Sequence, residues 1–274
     1  MPGTLTQQKT RRRRATLAIA TFTLTALVCG LTHHAPAKGK PGGGDGEGVN
    51  LDDFTFAFDG SGSIYVTTMD DGNRVKIASA KGGNMESPSW SPDLNPDPGY
   101  QGLIAYLNYQ GDHVDLEVTD GNDSQLVRYF TAADPYPGGL ESDVTLSWSP
   151  NGQEIVFVSD ANLIVAVEVV TGSHRILLDF SDDLGPDTQD VTLSPSLMAY
   201  SRRGDIWAAG YHINEAGLIE FNAASIVNLT NTPVYRESQC SYSRDGTYMS
   251  YNRLVDLWEI VVLDLFAMEE MVVV

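Results

Sequence analysis

Cysteine is nearly absent: Cys29 and Cys240 are the two in 274 residues. Cys29 falls in a segment expected to be removed, so Cys240 stands alone and an intrachain disulfide is excluded. In "QCSYSRDG" it sits on an expected strand, where a small buried hydrophobe is the ordinary role. A reactive thiol needs an electropositive setting, and only Arg236 and Arg244 are near it in sequence. Histidine is also scarce. Past residue 37 there are His113, His174 and His212, far apart, with no His-Glu-x-x-His and no cysteine pair. No metal centre and no cofactor are therefore expected. Gly-x-Ser-x-Gly is missing too, which removes the strained turn on which a hydrolase presents its serine. Nowhere does a capped, 3.6-residue amphipathic period persist, so helices are not expected to build the fold.

Bases are few. The whole chain carries 17 − 36 = −19, and Lys9 with Arg11 to Arg14 are five of the 17. Without them the balance is 12 − 36 = −24. A field of that sign repels nucleic acid and anionic lipid, so neither is an expected partner. Beyond residue 48 the lysines are Lys76 and Lys81, against eight arginines. A hydrated, salt-tolerant surface accounts for such a composition without any binding site.

What is present begins with a leader. Residues 1–14 are polar and end in four arginines; an uncharged stretch "ATLAIATFTLTALVCGL" follows, then "THHAPAK" with Ala35 and Ala37 as the small residues of a cleavage site. This is the three-part layout of a secretory signal over residues 1–37, cut after Ala37. Thr10-Arg11-Arg12 resembles a twin-arginine leader, whereas Val28 before Cys29 is too large for a lipoprotein site. Residues 38–48, "KGKPGGGDGEG", form a Gly-rich tether. The folded domain is expected over residues 49–274, in the periplasm or outside the cell.

The domain repeats. "SPSWSPD" at 87–93 and "LSWSPNG" at 146–152 match, with "VTLSPS" at 191–196 and "CSYSRDG" at 240–246 as looser copies. Trp90, Trp148, Leu193 and Tyr242 fall 58, 45 and 49 residues apart, the period of a blade array. Each copy continues with apolar runs, "LIAYLN", "EIVFVS", "LMAYSR" and "TYMSYN", followed by "VDLEVTDG", "LIVAVEVVTG", "DIWAAG" and "VDLWEIVVLD". Short runs rich in Val, Ile, Phe and Tyr between Asp-Gly, Asn-Gly and Ser-Pro signal strands joined by tight turns. Residues 54–79 match only the last three strands of a repeat. The final "MEEMVVV" is a candidate to complete that first blade, or else to finish the fifth. The bulky residue before Ser-Pro suits a blade–blade interface, and the recurring Trp207 and Trp258 also indicate core. The fold expected is an all-β propeller of about five four-stranded blades.

Trp/Tyr-Ser-Pro-Asp/Asn-Gly, Ile-Ala/Val-Phe/Tyr and Asp-Ile/Leu-x-Val-x-Asp-Gly resemble the TolB-like (WD40-like) propeller repeat, over roughly residues 54–266. The resemblance implies blades rather than a chemistry, usually six of them, and a non-catalytic scaffold that binds another protein of the cell envelope through a propeller face. The α/β domain that precedes the propeller in TolB has no counterpart before residue 49. The same repeat occurs in prolyl oligopeptidases, but the missing serine elbow argues against a peptidase.

Three loops and clusters deserve testing against a structure. Asp115, Asp205 and Asp256 head the same strand in three copies. Paired acids across a channel hydrolyse glycosides, so a glycan-active or glycan-binding propeller is the alternative function; turn formation explains the same recurrence. Asp93, Asn95 and Asp97 alternate as calcium ligands do, yet Pro98 and Ile104 stand where a calcium loop needs Gly and Glu, which favours an ordinary insertion. A second insertion, 132–143, carries Tyr136 between prolines, and Tyr136 is the candidate binding residue. The expected protein is a monomer.

Overall fold

The computed structural model describes residues 56–67, 74–79, 83–92, 102–135, 144–182, 188–243 and 245–273. The leader, the tether, the calcium-like loop and Tyr136 lie outside them. Five antiparallel sheets follow one another along the chain as the blades of a β-propeller. Blade 1 holds β1 (Phe56–Gly60), β2 (Ser63–Thr67) and β3 (Arg74–Ser79). Blade 2 holds β4 (Asn84–Trp90), β5 (Ile104–Tyr109), β6 (His113–Thr119) and β7 (Ser124–Thr131). Blade 3 holds β8 (Ser147–Trp148), β9 (Glu154–Val158), β10 (Leu163–Glu168) and β11 (His174–Asp179). Blade 4 holds β12 (Thr188–Leu193), β13 (Leu197–Arg202), a long β14 (Asp205–Ile213), and β15 (Ile219–Phe221) and β16 (Val227–Asn228), which both pair with β14. Blade 5 holds β17 (Arg236–Tyr242), β18 (Tyr248–Leu254), β19 (Trp258–Asp264) and β20 (Glu269–Val272).

The serine of the recurring motif explains the motif. In every blade that has a first strand, this serine clamps the start of the second. Ser149 donates its N–H to the Glu154 carbonyl at 2.8 Å, and its Oγ accepts the Glu154 N–H at 2.9 Å. Ser243 does the same with Tyr248 at 2.8 and 2.9 Å, and Ser194 with Leu197 at 2.8 and 3.1 Å. Ser91 makes the pair with Leu103, at 2.7 and 2.8 Å, across the long insertion. In the two copies where the clamp spans five residues, a left-handed residue makes the reversal, supplied by Gly152 (φ 67°) and Gly246 (φ 71°).

The second strand sets the packing. Its three-residue core reads Phe-Ala-Phe (56–58), Ile-Ala-Tyr (104–106), Ile-Val-Phe (155–157), Met-Ala-Tyr (198–200) and Met-Ser-Tyr (249–251). Because side chains alternate across a strand, the outer two look back to the preceding blade and the middle one looks forward. Ile104 and Tyr106 share a core with Ile64 and Val66 of blade 1; Ile155 and Phe157 with Ala105 and Leu107 of blade 2. Met198 and Tyr200 meet Val156 and Val158 of blade 3; Met249 and Tyr251 meet Ala199 and Ile206 of blade 4. The aromatics Tyr106, Phe157, Tyr200 and Tyr251 are fully buried. Phe58, their counterpart in blade 1, is half-buried.

Five blades thus share four cores among the described residues, and none joins blade 5 to blade 1. Of the two destinations left open for the last strand, pairing selects the fifth blade: Val262 pairs with Met271 and Asp264 with Glu269, so β20 finishes blade 5, and blade 1 has three strands among the described residues. One expectation is corrected here. Trp258 is not core but 55% exposed, because no following blade covers its face of β19. Trp148 is buried as expected and donates its indole N–H to the Ser89 carbonyl of blade 2 at 3.0 Å.

The register predicts a sharp inequality between equivalent aromatics. Phe157→Ala should cost about 3–5 kcal/mol in urea unfolding, the usual range for a buried phenylalanine. Phe58→Ala should cost under about 2 kcal/mol, since only part of its surface leaves water on folding. Equal losses would mean that Phe58 is covered as fully as Phe157.

Candidate functional site

In a propeller the strands of successive blades that meet one another are those around the hub. Here they are the first strands β4, β8, β12 and β17. Their polar side chains form a recurring latch from each blade to the next. Ser147 Oγ accepts the Leu193 N–H at 3.0 Å, and Thr192 Oγ1 lies 3.5 Å from the Tyr242 N–H donor. Two residues earlier, Thr145 Oγ1 accepts the Val191 N–H at 3.1 Å and Asp190 Oδ2 accepts the Cys240 N–H at 2.8 Å. Asp190 also accepts from the Ser201 hydroxyl and, at 3.2 Å, from the Ser201 N–H. Burial lifts the Asp190 acid while these donors favour its charged form. Cys240 is buried beside it, and burial first and the Asp190 charge second push its thiol far above the ordinary value, which leaves it inert.

The three recurring aspartates do not converge on the hub. All sit at or just before a third strand, two places out from the first. Asp115 lies on β6 between His113 and Glu117; burial raises its acid, opposed by His113, whose Nε2 is 3.8 Å away. Asp205 opens β14 and accepts from Asn228 Nδ2 at 2.8 Å and from the Thr232 N–H at 2.9 Å, fastening the loop before blade 5. Asp256 is exposed in the β18–β19 turn. Among the described residues no three His, Cys, Asp or Glu side chains gather where a metal could be held. Tyr136, the candidate binding residue, lies outside the described residues.

Besides Asp190, two buried acids were not singled out from the sequence. Glu154, at the head of β9, accepts two hydrogen bonds from Arg175 Nη2, both at 2.9 Å, and the Ile219 N–H at 2.6 Å. The same Arg175 nitrogen donates to the Ile219 carbonyl at 2.6 Å, so the pair straps the β14–β15 hairpin onto blade 3. A shallow cleft of about 290 Å³ opens beside this strap on the outer rim, lined by Leu177, Leu218 and Phe221 among others. Its one cation, Arg175, is engaged by Glu154. Glu237, second in β17, is 1% exposed, and neither carboxylate oxygen makes a well-aligned hydrogen bond. Burial raises its acid most; Asp205 and Glu270 add to this, and Thr230 and Thr232 oppose it. A partnered base is what would have marked these acids in sequence, but Arg175 lies 21 residues from Glu154.

Glu237 makes stability depend on pH. The folded state holds its proton more tightly than the unfolded chain does. It therefore favours folding below the ordinary value of 4.5 and opposes it as pH rises through the raised value. Glu237→Gln should raise the thermal midpoint at pH 7 by a few degrees, and the gain should vanish below pH about 4.5. A variant less stable than the parent at pH 7 would show that the carboxylate is paired.

No protein-family model matches this chain, and no curated protein does. Solved structures do. TolB from Acinetobacter baumannii superposes with a TM-score of 0.56 at 17% identity, over 79% of this chain and 51% of that one. An oligogalacturonate lyase in complex with manganese gives 0.46 at 14%, over 77% and 58%. A structural-genomics protein of unknown function from Bacteroides thetaiotaomicron gives 0.49 at 12%, over 77% and 52%. The chain spans about half the length of the TolB chain, and at such identities the likeness is one of fold alone. In fold, then, this chain is a TolB-like β-propeller of five blades.

Proposed function

We propose that the protein is an exported, non-catalytic propeller that binds another protein of the cell envelope and works there as a scaffold. The observation that carries this reading is the fate of its polar hub. Thr145, Ser147, Asp190 and Thr192, the side chains placed where a propeller enzyme would keep its reacting groups, are used to latch blade to blade. Chemistry would need free groups that converge, and the recurring aspartates stay apart: Asp205 fastens a loop, Asp256 faces solvent and Asp115 lies half-buried beside His113. The leader-like first 37 residues support export, and the likeness to TolB in fold supports a binding role. The acidic surface favours a partner with a basic or polar face. Tyr136, on the loop between blades 2 and 3, is the proposed contact, since long loops on one propeller face are where such folds place specificity.

The exported form, residues 38–274, immobilised and exposed to an envelope extract, should retain one protein in near-equal amount at low and at high salt. Tyr136→Ala should lower that retention at least tenfold without moving the thermal midpoint. Retention of basic proteins at low salt alone would reduce the interaction to charge and overturn the scaffold reading. Turnover of a glycan by the purified chain, abolished by Asp→Asn at Asp115, Asp205 or Asp256, would replace it with the enzymatic one.

A further inference from the structure

Among the described residues, the outermost blades leave two faces uncovered that still carry the chemistry of the covered ones. On the forward side of blade 5, β19 presents Ile260 and Val262. These stand where blade 3 has Ile164 and Ala166, both fully buried under blade 4. Trp258 and Met271, on the same face, are 55% and 63% exposed. At the hub end of that face Ser241 occupies the position from which Ser147 and Thr192 reach the next blade. On the backward side of blade 1, Phe58 stacks on Tyr65 with ring centroids 5.5 Å apart. Phe58 occupies the position that the preceding blade buries in every other copy.

Charge completes the match. Arg74 and Lys76 of β3 lie on this backward face: Lys76 is directly opposite Tyr65, and the Arg74 guanidinium stands 5.3 Å over its ring. They form a basic patch in a protein with few lysines. On the forward face of blade 5, Asp264 and Glu269 lie opposite one another on β19 and β20. Both pairs occupy the same end of the blade. Phe56 pairs with Thr67, level with Arg74, and Phe56 corresponds to Met249, the neighbour of Tyr248, which is opposite Asp264. Stacked as the other blades are, the basic patch would fall on the acidic one.

We propose that the forward face of blade 5 binds the backward face of blade 1 of a second copy of this chain, so that the blade series continues from one molecule into the next. The surface differs from the loop face proposed for the envelope partner, and the inference stands or falls without that reading. It departs from the monomer expected from sequence. Such a contact is heterologous, so it leaves one free face at each end and builds chains, or rings where the rotation closes. The copies repel at long range, but at physiological salt the screening length is about 8 Å, which leaves close contacts intact.

Sedimentation velocity of residues 38–274 at 0.15 M salt tests this. Species larger than a dimer should grow in as concentration rises. Arg74→Glu and Glu269→Lys, both at exposed positions that leave the fold intact, should each weaken association about tenfold or more. Mixed one to one, they should regain the larger species as alternating copies, because both junctions between unlike variants again set opposite charges against each other. Trp258→Ala should weaken association without lowering the thermal midpoint. A chain that stays monomeric at every concentration overturns the proposal, whether its Trp258 fluorescence is that of a wet indole or of one buried by closure of its own ring. Dimers that persist in each variant alone would overturn it as well.

Discussion

A small sheet that is apolar on both faces has to be covered on both, and that requirement organises this molecule. The alternation of the second strand provides the means. An aromatic such as Phe157 looks back while Val156 looks forward, so each blade fills its neighbour's gap and none is stable by itself. The serine clamps hold that strand in register, and the hub latches fix the angle between blades. The hub side chains Thr145, Ser147 and Asp190 are accordingly engaged with backbone N–H groups. Among the described residues the requirement of cover is unmet at the two outermost faces, at Phe58 and at Ile260.

Much of this was written in the sequence. The spacing from Trp90 to Tyr242, the paired apolar runs and the Asp-Gly turns identify blades, and the first sheet has three strands among the described residues. Other features were not legible. The serine in Trp-Ser-Pro reads as a turn residue, whereas its work is a pair of hydrogen bonds to a residue that is five positions away at Ser149 and twelve at Ser91. Trp258 recurs with Trp207 in sequence, but the pairing separates them: Trp207 lies opposite Tyr200 and packs toward blade 3, whereas Trp258 lies opposite Leu254 on the other face of its blade. The destination of β20 could not be read either, because "MEEMVVV" fits either edge in composition and only pairing decides.

The candidate site divides along the same line. The recurring aspartates were visible because they recur, and they recur because the blade does. Asp205 ties down a loop, and Asp256 faces water. The acids with unusual surroundings, Glu154, Asp190 and Glu237, occur once each and have partners far along the chain. Periodicity selects for structure, so in a repeat protein it hides rather than reveals the residues that set one blade apart.

The central claim is that no shared core joins blade 5 to blade 1 among the described residues. Amide hydrogen exchange on dilute protein, at a concentration where it sediments as a monomer, tests it most directly. Local opening follows buried contacts, so β9, β13 and their neighbours in blades 3 and 4 should exchange slowest, with protection falling toward β1–β3 and β19–β20. Equal protection in all five blades would mean that the ring is closed and would contradict the account.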